Sequence, residues 1–456
     1  MSKIIVLGAG LSGLASASLL ARAGHKVTVL DKQSWLGGKS RRIEVAGQIM
    51  DTGPALVTFT GVWDKLLKRY DELGASQSKS ASEIADINFV KLNELGRYFY
   101  QDQVTDLPVK PDHEWFEAWD RFEKEHAPLT EPITELLTKM PTDPASLPAL
   151  AKLQKRYGLR LTTSWYLKGL KWMPEKLKDI IAIHTLNAGI APTKTLALYA
   201  SMTAVMAADG IKVPVGGVNE IAQSLGKLAV AAGVEIKLNQ QITKVQKRQV
   251  HTATEAYNAD YIVSSLDPQV LKMLMTGKQA SPAKHRSCSG IAIYAVLNKP
   301  LPADTVTHSV VMPDDPPELY ASLETARLPN QTMAFVNYYQ AQEIYPNSKP
   351  TVAVLLTAPA DGKHYDLDHP WVKNEVARIS SRMCLAEPIT ELFEDSMVLD
   401  PEYFGGYALP VAHSMVPPSR FGNPAHFTTR NTKTRFGHGF IEWELRFTRA
   451  AEYRLF

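Results

Sequence analysis

The sequence predicts an α/β fold in which a Rossmann-like dinucleotide-binding domain is interrupted by an inserted α+β region. Three observations lead there. The N-terminus runs apolar strand, glycine turn, helix, strand and acid within its first 31 residues. A second turn-helix-strand pattern returns near residue 209. The chain has 456 residues, 45% hydrophobic and 21% charged, the make-up of a globular protein long enough for two or three domains.

Ile4-Ile5-Val6-Leu7 is the continuous apolar run expected of a strand buried on both faces. Gly8-Ala9-Gly10-Leu11-Ser12-Gly13 follows, then a helix-period stretch from Leu14 to Ala23, a turn at Gly24-His25 and a strand from Lys26 to Leu30. The glycines differ in purpose. Gly8 makes the turn, Gly10 lets the backbone approach a pyrophosphate, and Gly13 lets helix and strand pack closely. The phosphates then meet the free N–H groups at the helix N-terminus, around Leu11, Ser12 and Gly13. Asp31, eighteen residues past Gly13 and followed by Lys32, is placed to accept hydrogen bonds from a ribose hydroxyl. Glycines alone would also suit a structural turn. Strand, helix, strand and acid together, at this spacing, favour a dinucleotide.

Leu36-Gly37-Gly38-Lys39 comes next, and Asp51-Thr52-Gly53-Pro54 closes the segment. These stretches resemble the flavoprotein family that contains the amine oxidases and bacterial carotenoid desaturases. The resemblance implies FAD as cofactor, with the Gly37-Gly38 backbone and a cation on the pyrophosphate and Asp51, Gly53 and Pro54 at the site. Lys39 stands where the family usually has Arg, with Arg41 and Arg42 close behind. Lys supplies charge without the bidentate fork, so the phosphate contact is expected to be weaker or shared. The plainer reading of the same residues is a glycine hairpin with solvated cations.

Residues 76–208 are richer in helix-like periodicity, with breaks at Leu107-Pro108, Pro141 to Pro148 and Met173-Pro174. Val213-Pro214-Val215-Gly216-Gly217-Val218 then leads into a helix from Asn219 to Ala232 and a strand from Gly233 to Leu238, with short strands at Gln241 to Val245 and Tyr257 to Ser265. An unrelated βαβ unit would read the same way. In the family resembled, such segments rebuild the FAD domain after a substrate-domain insertion, which implies Val245 as a further cofactor contact. The expected organisation is a first FAD-binding segment over 1–75 and a substrate-binding, helical, membrane-facing region over 76–208. A second FAD-binding segment follows over 209–275, then the β-sheet part of the substrate domain over 276–400, and an incomplete or atypical C-terminal FAD-binding segment over 401–456.

Three stretches resemble the phytoene and hydroxyneurosporene desaturase branch: Asp51 to Phe59, Thr195 to Val213, and Ser287-Cys288-Ser289-Gly290-Ile291. That implies an FAD-dependent oxidoreductase introducing C=C bonds into a carotenoid or related isoprenoid chain, with hydride passing to flavin N5. Such chemistry is mostly the cofactor's and asks for a dry, elongated cavity rather than a strong acid or base. The sequence accordingly offers no nucleophile elbow, metal-ligand cluster or paired catalytic carboxylates, so the catalytic residues are unassigned and no metal is expected. Two alternatives stand beside this reading. One is an amine or porphyrinogen oxidase; the other is a non-catalytic lipid-binding protein, or a truncated remnant, on the same scaffold.

A formal net charge of +3 is too small to argue for nucleic acid. Cys288 and Cys384, the two cysteines, lie far apart and point to a reducing cytosol. No stretch reaches eighteen apolar residues. Residues 151–180 carry eight Lys or Arg against two acids, interleaved with Trp165, Tyr166, Leu167, Leu170, Trp172 and Met173. Such a segment suits an anionic membrane interface, and equally a solvated cationic face over a core stripe. The first reading makes the protein cytoplasmic and peripheral on the inner face of the cell membrane. Ile180 to Met206, with His184, Asn187 and Tyr199, would serve as a tunnel wall; His184 is either a structural histidine or a proton acceptor. Pro417 to His426 still follows the family pattern, but Lys433 to Phe456 is basic and aromatic and lacks its glycine turn and apolar helix. Either the flavin is capped differently, or this tail is out of frame or truncated.

Overall fold

The computed structural model describes residues 1–53, 55–74, 77–139, 143–278 and 288–408. A four-stranded parallel sheet, in the order Tyr261–Ser264, Lys3–Leu7, Lys26–Leu30, Glu235–Lys237, joins segments some 250 residues apart. Lys3–Leu7 lies inside it with Ile4, Ile5, Val6 and Leu7 wholly buried, which is why that run shows no polar alternation. Helix Leu11–Arg22 starts three residues before the helix-period pattern, and helix Asn219–Ala231 packs against it. The small buried residues Ala15, Ser18, Ala222 and Ala229 line these helices.

A three-stranded antiparallel sheet, Ile242–Gln246, Gln249–Thr252 and Ala256–Asn258, covers the opposite face through Val245, Val250, Ile5 and Leu30. Where the pattern predicts one strand from Tyr257 to Ser265, there are two. Asp260 makes the break: its N–H donates to the Lys3 carbonyl and its carboxylate accepts the Lys3 N–H, both at 2.8 Å. The chain thereby leaves one sheet and enters the other.

The second body is a seven-stranded sheet in the order Phe393–Leu399, Ser289–Leu297, Thr351–Ala358, Ala334–Tyr339, His308–Val311, Gly96–Tyr100, Gln103–Leu107. Helix Pro370–Arg382 buries Val372, Val376 and Ile379 on one face. The hairpin Arg42–Val45/Gln48–Asp51 packs Ile43, Val45 and Met50 on the other. Residues 76–208 are thus less purely helical than their periodicity predicts. Gly96–Tyr100 and Gln103–Leu107 belong to the large sheet, and Phe89–Leu92 pairs with Ile211–Pro214. The partner of Gly96–Tyr100 is a parallel strand about 210 residues away, a pairing that no local pattern can announce.

The helical part holds Phe116–His126, Thr130–Thr138, Leu147–Tyr157, Thr163–Lys168, Glu175–Ile183 and Met202–Asp209. The expected tunnel wall from Ile180 to Met206 is not one helix; it breaks into short turns at His184–Ala188 and Ala197–Ser201. Among the described residues no helix is long and apolar enough to cross a membrane.

Buried histidines tie this region together. His126 bonds Ser201 Oγ at 2.5 Å through Nδ1 and the Tyr166 hydroxyl at 2.9 Å through Nε2, and the Tyr157 hydroxyl meets the same Ser201 at 2.5 Å. His184 Nε2 meets the Tyr98 hydroxyl at 2.7 Å, joining the helices to the large sheet. His184 is therefore part of a buried polar tie. His308 Nδ1 is bonded to Asn337 Oδ1. Burial pushes His126 and His184 down to about 3 and His308 to about 4.

These imidazoles are neutral in the fold but take up protons near 6.5 once unfolded. Their contribution is complete above that pH and lost as pH falls toward 3–4, each at about 1.4 kcal/mol per pH unit. The Tm should therefore drop steeply between pH 6.5 and 4.5. His126→Gln should lower the Tm at pH 7.5 and flatten that slope. A Tm that is level across this range would show that the histidines titrate normally.

Candidate functional site

The N-terminal turn is closed by its neighbours. Gly8 sits at φ +98° and donates its N–H to the Leu30 carbonyl at 2.8 Å. Ser265 Oγ, arriving with the third strand, donates to the carbonyls of Leu7 and Gly8 at 2.9 and 3.1 Å. A side chain at Gly13 would put its Cβ 1.9 Å from the Gly8 carbonyl oxygen. Gly10 differs: its backbone is extended at φ −69°, and an added Cβ would meet nothing within 4 Å. Packing therefore demands Gly8 and Gly13, while Gly10 faces open space. Helix Leu11–Arg22 begins there with no capping side chain and no acid in its first turn. Its N-terminal N–H groups and positive dipole end form an anion site. The Leu11 side chain is buried in the core and Ser12 is half-buried.

Asp31 stands at the end of the second strand. Its carboxylate accepts the Ala9 N–H at 2.6 Å and the Gln33 N–H at 2.8 Å, so it braces the turn. Lys32 beside it is exposed. The Gly37 N–H donates to the Ala9 carbonyl at 2.9 Å, and Gly37 bridges Gly10. A Cβ at Gly38 would lie 3.2 Å from Gly10 Cα. Lys39 is exposed, and its carbonyl accepts the Thr52 hydroxyl at 3.1 Å. Behind it, Ser40 Oγ and Arg41 Nε are buried without a hydrogen-bond partner among the described residues. The Arg41 guanidinium lies over the rings of Trp35 and Tyr403, at 5.2 and 5.5 Å.

Asp51 and Arg42 do something other than face a ligand. Arg42 Nε bonds Asp51 Oδ1 at 2.9 Å, and the same guanidinium reaches Glu220 at 3.1 Å and the Gly216 carbonyl. Asp51 Oδ2 accepts the Asn219 N–H at 2.8 Å, and the Tyr345 hydroxyl lies beside it. Burial, the largest influence, raises the Asp51 carboxyl, against the pull of Arg42 and the Asn219 N–H. A Cβ at Gly217, φ +92°, would meet Asp51 Oδ2 and Tyr345 at 2.3 Å. The Asp51 carboxylate, expected as a cofactor contact, also holds the hairpin to the Gly216-Gly217 turn. Val245 pairs with Val250 and is buried under the parallel sheet, where its side chain is core. Pro54 lies outside the described residues, as do Pro417 to His426 and the tail from Lys433 to Phe456.

A crevice opens where this hairpin meets the large sheet. Asp51, Gly53, Tyr294, Asn337, Tyr339 and Tyr345 line it, with aliphatic side chains of Val352 and Leu355. The Tyr294 hydroxyl faces the Gly53 backbone, and the rings of Tyr339 and Tyr345 stand edge to face at 5.0 Å. Burial raises all three phenols, so they stay neutral. Sequence reasoning missed these side chains. The one local trace is the alternation in Ala334–Tyr339, AFVNYY, which carries Asn337 and Tyr339 on the same face of an otherwise apolar strand. Elsewhere, His364, Asp400 and Glu402 bring ligand-type atoms within 4.8 Å of one another. There Asp400 already accepts the N–H groups of Tyr365 and Tyr403, at 2.8 and 2.9 Å, and starts helix Pro401–Ala408.

A family model described as flavin containing amine oxidoreductase matches residues 11–427. The chain belongs to this family. It is an FAD-dependent oxidoreductase of the amine oxidase superfamily. It is 23% identical over 430 residues to the 1-hydroxycarotenoid 3,4-desaturase of Flavobacterium sp. (strain P99-3), covering 88% of this chain and 86% of that protein. It is also 23% identical to a 4,4'-diapophytoene desaturase (4,4'-diaponeurosporene-forming) of Staphylococcus haemolyticus, covering 78% of this chain and 75% of the other. In architecture it is similar to a double mutant of putrescine oxidase, with TM-score 0.64 at 13% identity over 99% of this chain and 97% of that one. The residues present fit the family's cofactor. The open space at Gly10 and the uncapped helix N-terminus leave room and N–H donors for a pyrophosphate, and the loop that bridges Gly10 through Gly37 continues to Ser40 Oγ and Arg41 Nε, unpartnered among the described residues.

Two expectations follow. Gly10→Val should leave the Tm of the apoprotein unchanged while abolishing flavin retention, whereas Gly13→Val should fail to fold; flavin absorbance after gel filtration checks both. Retention of flavin by Gly10→Val would reduce the motif to a structural turn. Arg42→Ala, which strands Asp51, should cost roughly 3 kcal/mol in urea unfolding, and a change below about 1 kcal/mol would show that the tie is unimportant.

Proposed function

We propose that this protein introduces C=C bonds into a carotenoid or related isoprenoid chain. When bound, FAD supplies the hydride acceptor at N5. In this reading Gly8, Gly10, Leu11, Ser12 and Gly13 form the phosphate turn, Asp31 and Lys32 stand at the ribose, and Gly37, Gly38 and Lys39 complete the pyrophosphate side. Gly53 leads toward the reacting end, the resemblance adds Pro54 to the cofactor contacts, and Val245 backs the nucleotide. Arg41 and Ser40 join this set, because a charged nitrogen and a hydroxyl buried without partners need an acceptor and a donor from elsewhere.

The observation that carries the substrate class is the similarity to carotenoid desaturases over most of both chains. The crevice beside the Asp51 hairpin, of about 10 Å³, supports it by chemistry alone: its phenols are neutral, its remaining side chains are amide or aliphatic, and its carboxylate is held by Arg42. It offers no strong base, as expected of a reaction whose electron pair leaves with the flavin. A second reading, oxidation of an amine, is favoured by the edge-to-face pair Tyr339 and Tyr345, since aromatic faces also attract ammonium groups.

Expression in a host that accumulates a colourless polyene decides between them. The expected result is a more conjugated product, seen as a red-shifted absorption spectrum of the extracted pigment. Asn337→Asp, which adds a carboxylate to the wall near Asp51, should cut this conversion at least about tenfold while flavin content stays unchanged. Unaltered pigment together with peroxide release from amines would favour the amine reading. Flavin binding with neither activity would leave the non-catalytic one.

A further inference from the structure

Strands His308–Val311 and Ala334–Tyr339 run antiparallel, and their register sets His308 directly opposite Asn337. Both residues are buried, and His308 Nδ1 is bonded to Asn337 Oδ1. The imidazole is held in place: its ring lies 5.0 Å from that of Phe335, and a Cβ at Gly96 would come within 2.9 Å of its Cδ2. Burial keeps it neutral, so it carries a single ring proton. An amide oxygen can only accept, which puts that proton on Nδ1. The bond then fixes the amide of Asn337. Its oxygen is taken by His308, and its NH2, two donors, makes no hydrogen bond among the described residues. Two positions along the same strand face, the Tyr339 hydroxyl makes none among them either. Both residues line the crevice beside Asp51. A buried donor without a partner is costly, and an acceptor on a ligand removes that cost.

Size and charge define what the NH2 meets. The crevice holds about 10 Å³, close to the space of one water-sized group and far below that of a hydrocarbon chain. The oxygen of a larger molecule fits there; the molecule does not. A carboxylate or phosphate would sit beside Asp51, whose cationic partner Arg42 is already shared with Glu220. An ammonium would set donor against donor. An uncharged oxygen, hydroxyl or carbonyl, meets both conditions. Given the desaturation proposed for this protein, we infer that Asn337, oriented by His308, selects an isoprenoid chain that carries an uncharged oxygen, by donating a hydrogen bond to it. The Tyr339 hydroxyl is the second partner of that oxygen. His308 is a positioning residue, since it acts only through the amide it holds.

The FAD-loaded protein is titrated with two isoprenoid chains that differ by one terminal hydroxyl. Binding is read from quenching of the flavin fluorescence, which needs no turnover. The hydroxylated chain should bind roughly three- to tenfold tighter, the range of one neutral hydrogen bond. Asn337→Leu should bind both chains alike, with an unchanged flavin spectrum. Should that variant fail to fold, Asn337→Asp keeps the bond from His308 and still removes the donor, and the preference should vanish there too. His308→Leu should lose the preference, and His308→Asn, which offers an Nδ2 donor to the same Oδ1, should restore it. A purely structural His308 would move the Tm and leave the ratio alone. Equal binding of both chains by the parent overturns the inference, as does a preference that survives in the Asn337 variants. A shifted flavin spectrum in Asn337→Leu with the ratio unmoved overturns it as well, because the donor would then serve a flavin carbonyl. If neither chain binds, the desaturase reading itself fails and the preference with it.

Discussion

Arg42 and Asp51 hold the molecule's two bodies and its two nucleotide-side segments in one arrangement. The hairpin that carries them packs on the large sheet, yet their polar groups reach the Gly216 carbonyl, the Asn219 N–H and Glu220. Helix Asn219–Ala231 is thereby fixed at its first turn. Asn219 Nδ2 also donates to the Ser40 carbonyl at 2.9 Å, and a Cβ at Gly37 would collide with Ala222 at 2.8 Å. The Gly37-Gly38 loop is therefore positioned by a helix nearly two hundred residues away. A nearly buried carboxylate with a single cationic partner is a demanding junction, because losing either partner leaves a charge or dipole unmet in a low-dielectric setting.

Around this junction the glycines divide by purpose. Gly8, Gly13, Gly37 and Gly217 are required by atoms of the protein itself, which would occupy the space of any Cβ. Gly10 is required by no packing among the described residues. A position that packing leaves open, at an uncapped helix N-terminus, is where a ligand's pyrophosphate can approach the backbone. The unpartnered Ser40 Oγ and Arg41 Nε lie in the loop that faces it.

Beside buried ion pairs such as Arg42–Asp51 and Arg378–Glu375, the interior holds neutral imidazoles and phenols. His126, His184 and His308 are buried as uncharged imidazoles, and Tyr294, Tyr339 and Tyr345 as uncharged phenols, each tied to neighbours that satisfy it or turned toward the crevice.

The strand-turn-helix-strand unit, its acid and its second half near residue 209 were legible in the sequence, because strand burial, helix initiation and glycine turns act over a few residues and leave local patterns. The placement of Asp31 at the turn and the steric need for Gly13 follow from that spacing. Tertiary structure decided the rest. It tied Asp51 to Arg42 and to the Asn219 N–H, and it split the strand at Asp260 between two sheets. It recruited Gly96–Tyr100 from an apparently helical region to pair with His308–Val311. It also assembled Tyr294, Asn337, Tyr339 and Tyr345 into one wall, and separated Trp165 from Trp172 although both sit in the same basic segment. Each of these depends on contacts between residues far apart in the chain. Such contacts are set by how whole elements bury their apolar faces, and no window of sequence carries that information.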